Sequence, residues 1–287
     1  MGQGPPKAVS DFTAEAAPGF ARLDSEPFPV FEPGTVWLVG AGPGAPGLMS
    51  LMAYHGMQQA DVVVYDALVN PGILRWVRAG AEHVHAGKRG GKPSASQRDI
   101  SERLIEFARA PARVLRLKGG DPFIFGRGGE EALALKQAGV PFRIVPGISA
   151  GIGGLAYAGI PATHRDLNHS VIFLTGHDAT GALPANVDWR AVATASPVIV
   201  MYMAVKHLPE IAAALLAGGR DPADTLTIVT NATLPHQSVL ETRLGDVEAF
   251  LARNTPDTPA IVVAGKVEEW RAILDWYDDT ARESPIG

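Results

Sequence analysis

From Gly34 onward, short apolar runs alternate with longer stretches in which apolar residues recur at helical spacing. The runs "TVWLVGA", "ADVVVYD", "EHVHAGK", "ARVLRLKGGDP" and "PFRIVPG" predict strands. Between them, "LMSLMAYHGMQQ", "ASQRDISERLIEFARA" and "GGEEALALKQAG" predict helices, with polar residues opposite the apolar ones. This alternation argues for a largely parallel sheet covered by helices. A second block follows the Gly/Ala-rich "GISAGIGGLAYAGIPAT". Its predicted strands are "SVIFLTGH", "SPVIVMYM", "TLTIVTNA" and "PAIVVAGKV", and its predicted helices are "HLPEIAAALLAGG" and "RLGDVEAFLARN".

The expected fold is α/β, with an N-terminal α/β domain over residues 34–149 and a C-terminal α/β domain over 150–280. Residues 1–33 are rich in Pro, Gly and Ala without periodicity, and predict a flexible tail or a segment draped over the surface. In open α/β sheets, ligands sit beyond the carboxyl ends of strands. The glycine loops of this chain fall at such ends, so two domains side by side would enclose a cleft.

Composition narrows the chemistry. The 287 residues contain no cysteine, which removes disulfides, thiolate nucleophiles and iron–sulfur clusters and fits a reducing, cytoplasmic setting. No apolar run is long enough to predict a membrane span, and the N-terminus lacks a signal-peptide pattern. A net charge of −5 argues against a polyanion binder. Within that chain, the stretch from His83 to Arg127 carries ten basic residues against four acidic ones. Its "GKRGGK" and "FGRGG" place cations in glycine loops, where a small polycarboxylate or phosphate fits better than nucleic acid. His83 and His85 would share a strand face but have no third ligand at a metal-site spacing.

Three loops carry candidate chemistry. "GPGAPG", Gly42 to Gly47, fits the dinucleotide pattern G-x-G-x-x-G after a strand, and "DVVVYD" ends in an acid about twenty residues on. Pyrophosphate sites depend on backbone N–H donors, however, and Pro43 and Pro46 have none. Such a loop suits a flat or weakly charged ligand. "GISAG", Gly147 to Gly151, fits the nucleophile-elbow pattern G-x-S-x-G, and Asp166 and His236 could be forced into the acid and His places, yet the oxyanion motif is missing and 51 residues follow that last His. The plain reading of Ser149 is a helix N-cap. The third loop, "LKGGDPFIFGRGGEE", crowds five glycines, a Pro, two Phe, Asp121 and an Arg into one turn region. Asp121 there can accept hydrogen bonds from a ribose or an amino group, and Arg127 can aim its guanidinium at a carboxylate.

Together these loops resemble the uroporphyrinogen-III C-methyltransferases of the tetrapyrrole methylase superfamily. The stretches that carry the resemblance are "VGAGPGAPGLMSL", "ADVVVYDALV", "AGKRGGK", "RLKGGDPFIFGRGGEE", "VPGISA", "GIPATHRD", "LTGH", "VMYM" and "TNAT". It runs from about Gly34 to Tyr277. The resemblance implies a two-domain fold with S-adenosylmethionine (S-adenosylhomocysteine after transfer) in the cleft, a homodimer, and uroporphyrinogen III as substrate. It implies methylation at carbons 2 and 7 to precorrin-2. By position, Pro43, Gly119, Gly120, Asp121, Ile124, Ser149, Ala150, Met203 and Ala232 would line the cofactor site. Ala232 stands where the family often has Gly, and Ala45 where many members have Asp. The substrate's carboxylates would meet Lys88, Arg89, Arg127, Arg165 and His177. Asp66 and Lys88 are implied acid/base residues, with Arg127 and Glu130 as rivals. As bland alternatives, Asp66 reads as a turn cap and Glu130 as an acid favouring a helix N-terminus. No metal, nucleic acid or membrane enters this reading.

Overall fold

The strand β1 (Val36–Gly40) is buried at all five positions, as a strand covered by helices on both faces must be. Its neighbours are β4 (Val114–Lys118) on one side and β5 (Phe142–Val145) on the other, both parallel to it. Outside β4 lie β2 (Val62–Tyr65) and β3 (Glu82–His85), giving a parallel sheet of order β3-β2-β4-β1-β5. The computed structural model describes residues 28–86, 97–166, 168–178, 180–265, 267, 271 and 273–277.

The alternation of the strand side chains decides which helix covers which face. Trp37 and Val39 share a core with Ala53 and Met57 of α1 (Leu51–Met57) and Ile73 of α2 (Pro71–Leu74). Val36 and Leu38 share the opposite core with Leu104 of α3 (Gln97–Arg109) and Leu135 of α4 (Gly128–Gln137). The connection leaving β1 therefore runs over one face and the connection leaving β4 over the other. The adjacent carboxyl ends of β1 and β4 form the topological switch point, the usual ligand position in such sheets. The expected tail reached residue 33, but Phe31 is fully buried, stacks on Trp37 at 4.4 Å and accepts a hydrogen bond from Arg113 Nε. An aromatic side chain of this size joins the core because burying it is worth about 2 kcal/mol or more.

The second sheet has the order β6-β7-β10-β8-β9 and is mixed rather than parallel. Only β6 (Val171–Thr175) and β7 (Val198–Tyr202) run parallel; β10 (Ala260–Ala264), β8 (Thr225–Thr230) and β9 (Ser238–Arg243) pair antiparallel. The pattern of the sequence did not predict β9, an edge strand with half of its positions exposed and only two apolar residues. One face is covered by α6 (Trp189–Ala195), α7 (Leu208–Ala217) and α8 (Val247–Leu251). The other receives α5 (Ala150–Tyr157), whose Leu155 packs with Val198, Val200 and Tyr202. Because α5 follows β5 directly, one helix carries the chain from the first sheet onto the second. Among the described residues no helix is long and apolar enough to cross a membrane.

Arg220 holds the far side of the second sheet together. Its side chain is 6% exposed and Nε donates to Asp224 Oδ2 at 2.7 Å. Its terminal nitrogens donate to the carbonyls of Ser196 at 2.8 Å and Pro197 at 2.6 Å, joining the end of α6 to the start of β7. Arg220→Ala should lower unfolding free energy by about 3–5 kcal/mol, because a buried carboxylate and these carbonyls lose their donor together. Denaturant titration checks this. A loss within about 1 kcal/mol would mean that the network is replaceable.

Candidate functional site

The floor of the site is made of backbone. Gly40, Gly120 and Gly147 sit at the carboxyl ends of β1, β4 and β5, packed without side chains between them. A Cβ on Gly40 would stand 2.5 Å from Gly120 O and 2.6 Å from Gly147 Cα. Gly42 and Gly120 exchange backbone hydrogen bonds at 3.2 and 2.8 Å, joining the first glycine loop to the third. Asp121 ties the same region from a second direction. Its Oδ1 accepts from Phe123 N–H at 2.8 Å and its Oδ2 from Gly147 N–H at 3.0 Å. Both carboxylate oxygens thus already position loops, so a ligand would find Asp121 fixed and able to accept only through its remaining lone pairs.

The first loop is poor in donors for a pyrophosphate. Pro43 and Pro46 have no N–H, Gly42 N–H is bound to Gly120 O, and Ala45 N–H donates to Thr233 Oγ1 at 2.8 Å. The helix that follows is capped by its own Ser50, whose hydroxyl accepts from Ala53 N–H at 3.2 Å. The opposite wall comes from the second sheet. Gly44 approaches the Ala232 carbonyl and the Thr233 hydroxyl so closely that a Cβ would stand 2.9 Å from each. A Cβ on Gly153 in α5 would meet Pro43 Cγ at 3.0 Å. The methyl of Ala232 is accommodated because Gly154 faces it, a Cβ there lying 2.8 Å away.

Ser149 stands at the N-cap position of α5, but its side chain makes no capping hydrogen bond. Its Oγ lies 2.6 Å from Tyr202 Oη instead. That phenol oxygen accepts from Gly151 N–H at 2.9 Å, so a tyrosine of β7 caps a helix that starts at the end of β5. Burial pushes the Tyr202 phenol above its ordinary pKa, keeping it protonated. The Tyr202 ring also lies 4.9 Å from that of Phe125 in the third loop. Among the described residues no His or acid is hydrogen-bonded to Ser149, whose Oγ partner is Tyr202, so the arrangement is not that of a nucleophile elbow. Reading the sequence singled out Met203 in "VMYM" and missed Tyr202 and Thr233, whose roles come only from contacts across the cleft.

Backbone strain marks the same loops. Among the described residues, the non-glycine positions with positive φ are Phe125 (51°), Arg127 (59°), Met203 (53°), Asn231 (47°) and Thr233 (70°). All follow the carboxyl ends of β4, β7 or β8. Each costs on the order of 1–3 kcal/mol, and such costs concentrate at ligand sites.

The proposed substrate groups divide. Arg127 and Glu130 meet as a fork, with Nε to Oε1 at 2.8 Å and Nη2 to Oε2 at 2.7 Å, both side chains about half exposed. The Glu130 hydrogen bond holds the Arg127 pKa above its usual range, and the same bond holds Glu130 below its own. Arg127 is therefore a fixed cation, unsuited to accept a proton. Asp66 does cap a turn, Oδ1 accepting from Leu68 N–H at 3.1 Å, but its Oδ2 also lies 3.7 Å from the buried Arg116 guanidinium. Arg165 is exposed in the turn before His169. His177 is half-buried, with Nδ1 2.9 Å from the Asp178 carbonyl oxygen. Among the described residues neither is brought into hydrogen-bond contact with Asp66, Arg127 or Glu130. Lys88 and Arg89 lie outside the described residues. Phe123, Ile124 and Phe125 give the third loop an apolar, exposed edge.

A glycine-floored cleft at a switch point, walled by a second sheet and poor in donors for a pyrophosphate, defines a two-sheet α/β protein with a small-molecule site at its strand ends. The chain matches the profile of the tetrapyrrole (corrin/porphyrin) methylases over residues 35–248 and belongs to that family. It is 62% identical over 248 residues to a uroporphyrinogen-III C-methyltransferase of Sinorhizobium sp., covering 86% of this chain and 89% of that enzyme. It is 45% identical over 247 residues to a siroheme synthase of Zymomonas mobilis, covering 85% of this chain but only 51% of that relative. Among solved structures, it is similar to a uroporphyrin-III C-methyl transferase of Thermus thermophilus complexed with S-adenyl homocysteine. The identity there is 38% and the TM-score 0.71, with 82% of this chain and 99% of that one covered.

Proposed function

We propose that this chain is a uroporphyrinogen-III C-methyltransferase, which transfers two methyl groups in turn to carbons 2 and 7 of uroporphyrinogen III and yields precorrin-2. The observation that carries the reading is the 62% identity across 89% of the Sinorhizobium enzyme. The cleft fits S-adenosylmethionine. Its floor is bare backbone that a Cβ would fill, and the first loop loses two donors to proline and has two more bound within the protein.

S-adenosylmethionine supplies a methyl group activated by a sulfonium charge and leaves as S-adenosylhomocysteine. Gly119, Gly120, Asp121, Ser149, Ala150, Met203 and Ala232 would hold it, with Pro43 and Ile124 against its apolar surfaces. The main work of the chain is to keep donor and ring carbon in near-attack geometry, which can account for about 7–11 kcal/mol of a barrier. The apolar edge at Phe123–Phe125 keeps water from the reacting centre. Arg127, pre-oriented by Glu130, meets a substrate carboxylate as a planar cation. Asp66 is the carboxylate positioned to take the proton lost from the methylated macrocycle, and Lys88, Arg89, Arg165 and His177 supply further charge toward the substrate. The chain works as a cytoplasmic homodimer in this reading.

Calorimetric titration with S-adenosylhomocysteine, with NAD as control, is the first test. Binding with a Kd on the order of 1 μM or below, and none with NAD, is expected. An anaerobic assay with uroporphyrinogen III should then release two molecules of S-adenosylhomocysteine per macrocycle. Binding without any methylation of this substrate would move the protein to another tetrapyrrole.

A further inference from the structure

Behind the cleft, β4 carries two basic side chains into the protein interior. Arg116 is 2% exposed, Lys118 is 4% exposed, and Glu131 of α4 meets both with no exposure at all. The Glu131 Oε1 atom accepts from Arg116 Nε at 3.1 Å, Lys118 Nζ at 3.2 Å and Gln97 Nε2 at 2.9 Å. Its Oε2 is buried without a hydrogen-bond partner. Burying such groups costs several kcal/mol per ion, and stability alone seldom requires it. The cluster makes chemical sense through the end that reaches the surface.

Arg116 is held at several points. Besides Glu131, its Nη1 donates to Leu117 O at 3.0 Å and Val64 O at 3.4 Å, which ties it to β2. Arg116 pairs in register with Val64, so the residue after β2 comes level with the upper end of β4. That residue is Asp66, and Arg116 Nη2 stands 3.7 Å from its Oδ2. The other oxygen accepts from Leu68 N–H. The Asp66 side chain, 28% exposed, is thus gripped from beneath by a guanidinium that cannot swing away.

We propose that Arg116, anchored on buried Glu131, is a positioning residue for the methylation, fixing the Asp66 carboxylate toward the cleft. The inference rests on the reading of Asp66 as the proton-accepting carboxylate. A lysine at 116 can keep its cation on Glu131 but lacks the forked second arm that reaches Asp66.

The test is a double-mutant cycle of Arg116→Lys and Asp66→Asn, reading kcat, KM, S-adenosylhomocysteine affinity and melting temperature. Arg116→Lys alone should lower kcat by about tenfold or more, since small misplacements of a reacting group have effects of this size. Cofactor affinity should stay at the wild-type value. In the Asp66→Asn background the same change should alter kcat by less than about twofold. An equal loss in both backgrounds, or unchanged kcat in the single variant, overturns the proposal. Wild-type turnover by Asp66→Asn overturns the reading of Asp66, and the proposal with it. Should Arg116→Lys fail to fold, the charge-neutral pair Arg116→Gln with Glu131→Gln is measured instead, with the same outcomes deciding.

Discussion

Gly147→Ala should abolish cofactor binding in a protein that still folds. The added Cβ would collide with Gly120 O and stand 2.7 Å from Gly40 Cα, both backbone atoms of neighbouring strand ends. Flexible side chains can yield to a methyl, but here the sheet itself would have to part. Gly147 N–H also donates to Asp121 Oδ2 at 3.0 Å, so any shift of Gly147 disturbs the loop that Asp121 ties down. The φ of Gly147 is not positive, so the effect isolates close approach from conformational strain. Overpacking of this kind costs about 1–3 kcal/mol, which a folded domain survives. Affinity for S-adenosylhomocysteine should fall by at least about a hundredfold. Gly129→Ala is the control, because a Cβ there meets nothing within 4 Å. It should leave cofactor affinity unchanged. Equal affinities in the two variants would show that the three-glycine floor is not part of the cofactor site.

Arg127→Ala should lower turnover at least tenfold, about 1.4 kcal/mol of transition-state stabilisation, while cofactor affinity stays nearly the same. Arg127 owes its geometry to two features. It stands at φ 59° as the residue before α4, and Glu130 one helical turn on receives its fork at 2.8 and 2.7 Å. This pair pre-orients a planar cation, and a ligand carboxylate then gains from the charge without ordering the side chain. Arg127→Lys should recover only part of the activity, since an ammonium on a flexible stem reproduces the charge but not the fork. Steady-state kinetics with parallel calorimetry separates the effects. A parallel loss of turnover and cofactor affinity would mark Arg127 as a structural residue of the third loop.

Much of the architecture is written locally in the chain. Strands β1 and β2 lie within apolar runs because parallel strands covered on both faces are apolar almost throughout, whereas edge strand β3 has two exposed positions and β4 buries two basic side chains. The glycine loops declared the strand ends at which ligands sit, and the two prolines of Gly42–Gly47 already argued against a dinucleotide. Edge strand β9 escaped because half of its positions face outward, and the antiparallel run of the second sheet escaped because a buried strand reads the same in either direction.

What the tertiary structure decided are relations between residues far apart in sequence. Ser149 was legible as a helix-start residue, but only folding shows that Tyr202, across the cleft, supplies the cap. "GPGAPG" was legible as a tight loop, and only folding shows Thr233 holding its Ala45 N–H. Arg116 looked like one more base in a basic stretch until the structure buried it between Glu131 and Asp66. The physical reason is the same in each case. Periodicity and turn chemistry report how a residue meets water and its chain neighbours, so the sequence alone determines elements, loops and family. Hydrogen bonds and close approaches between sheets depend on how those elements pack, and the packed structure alone decides which side chains share a site.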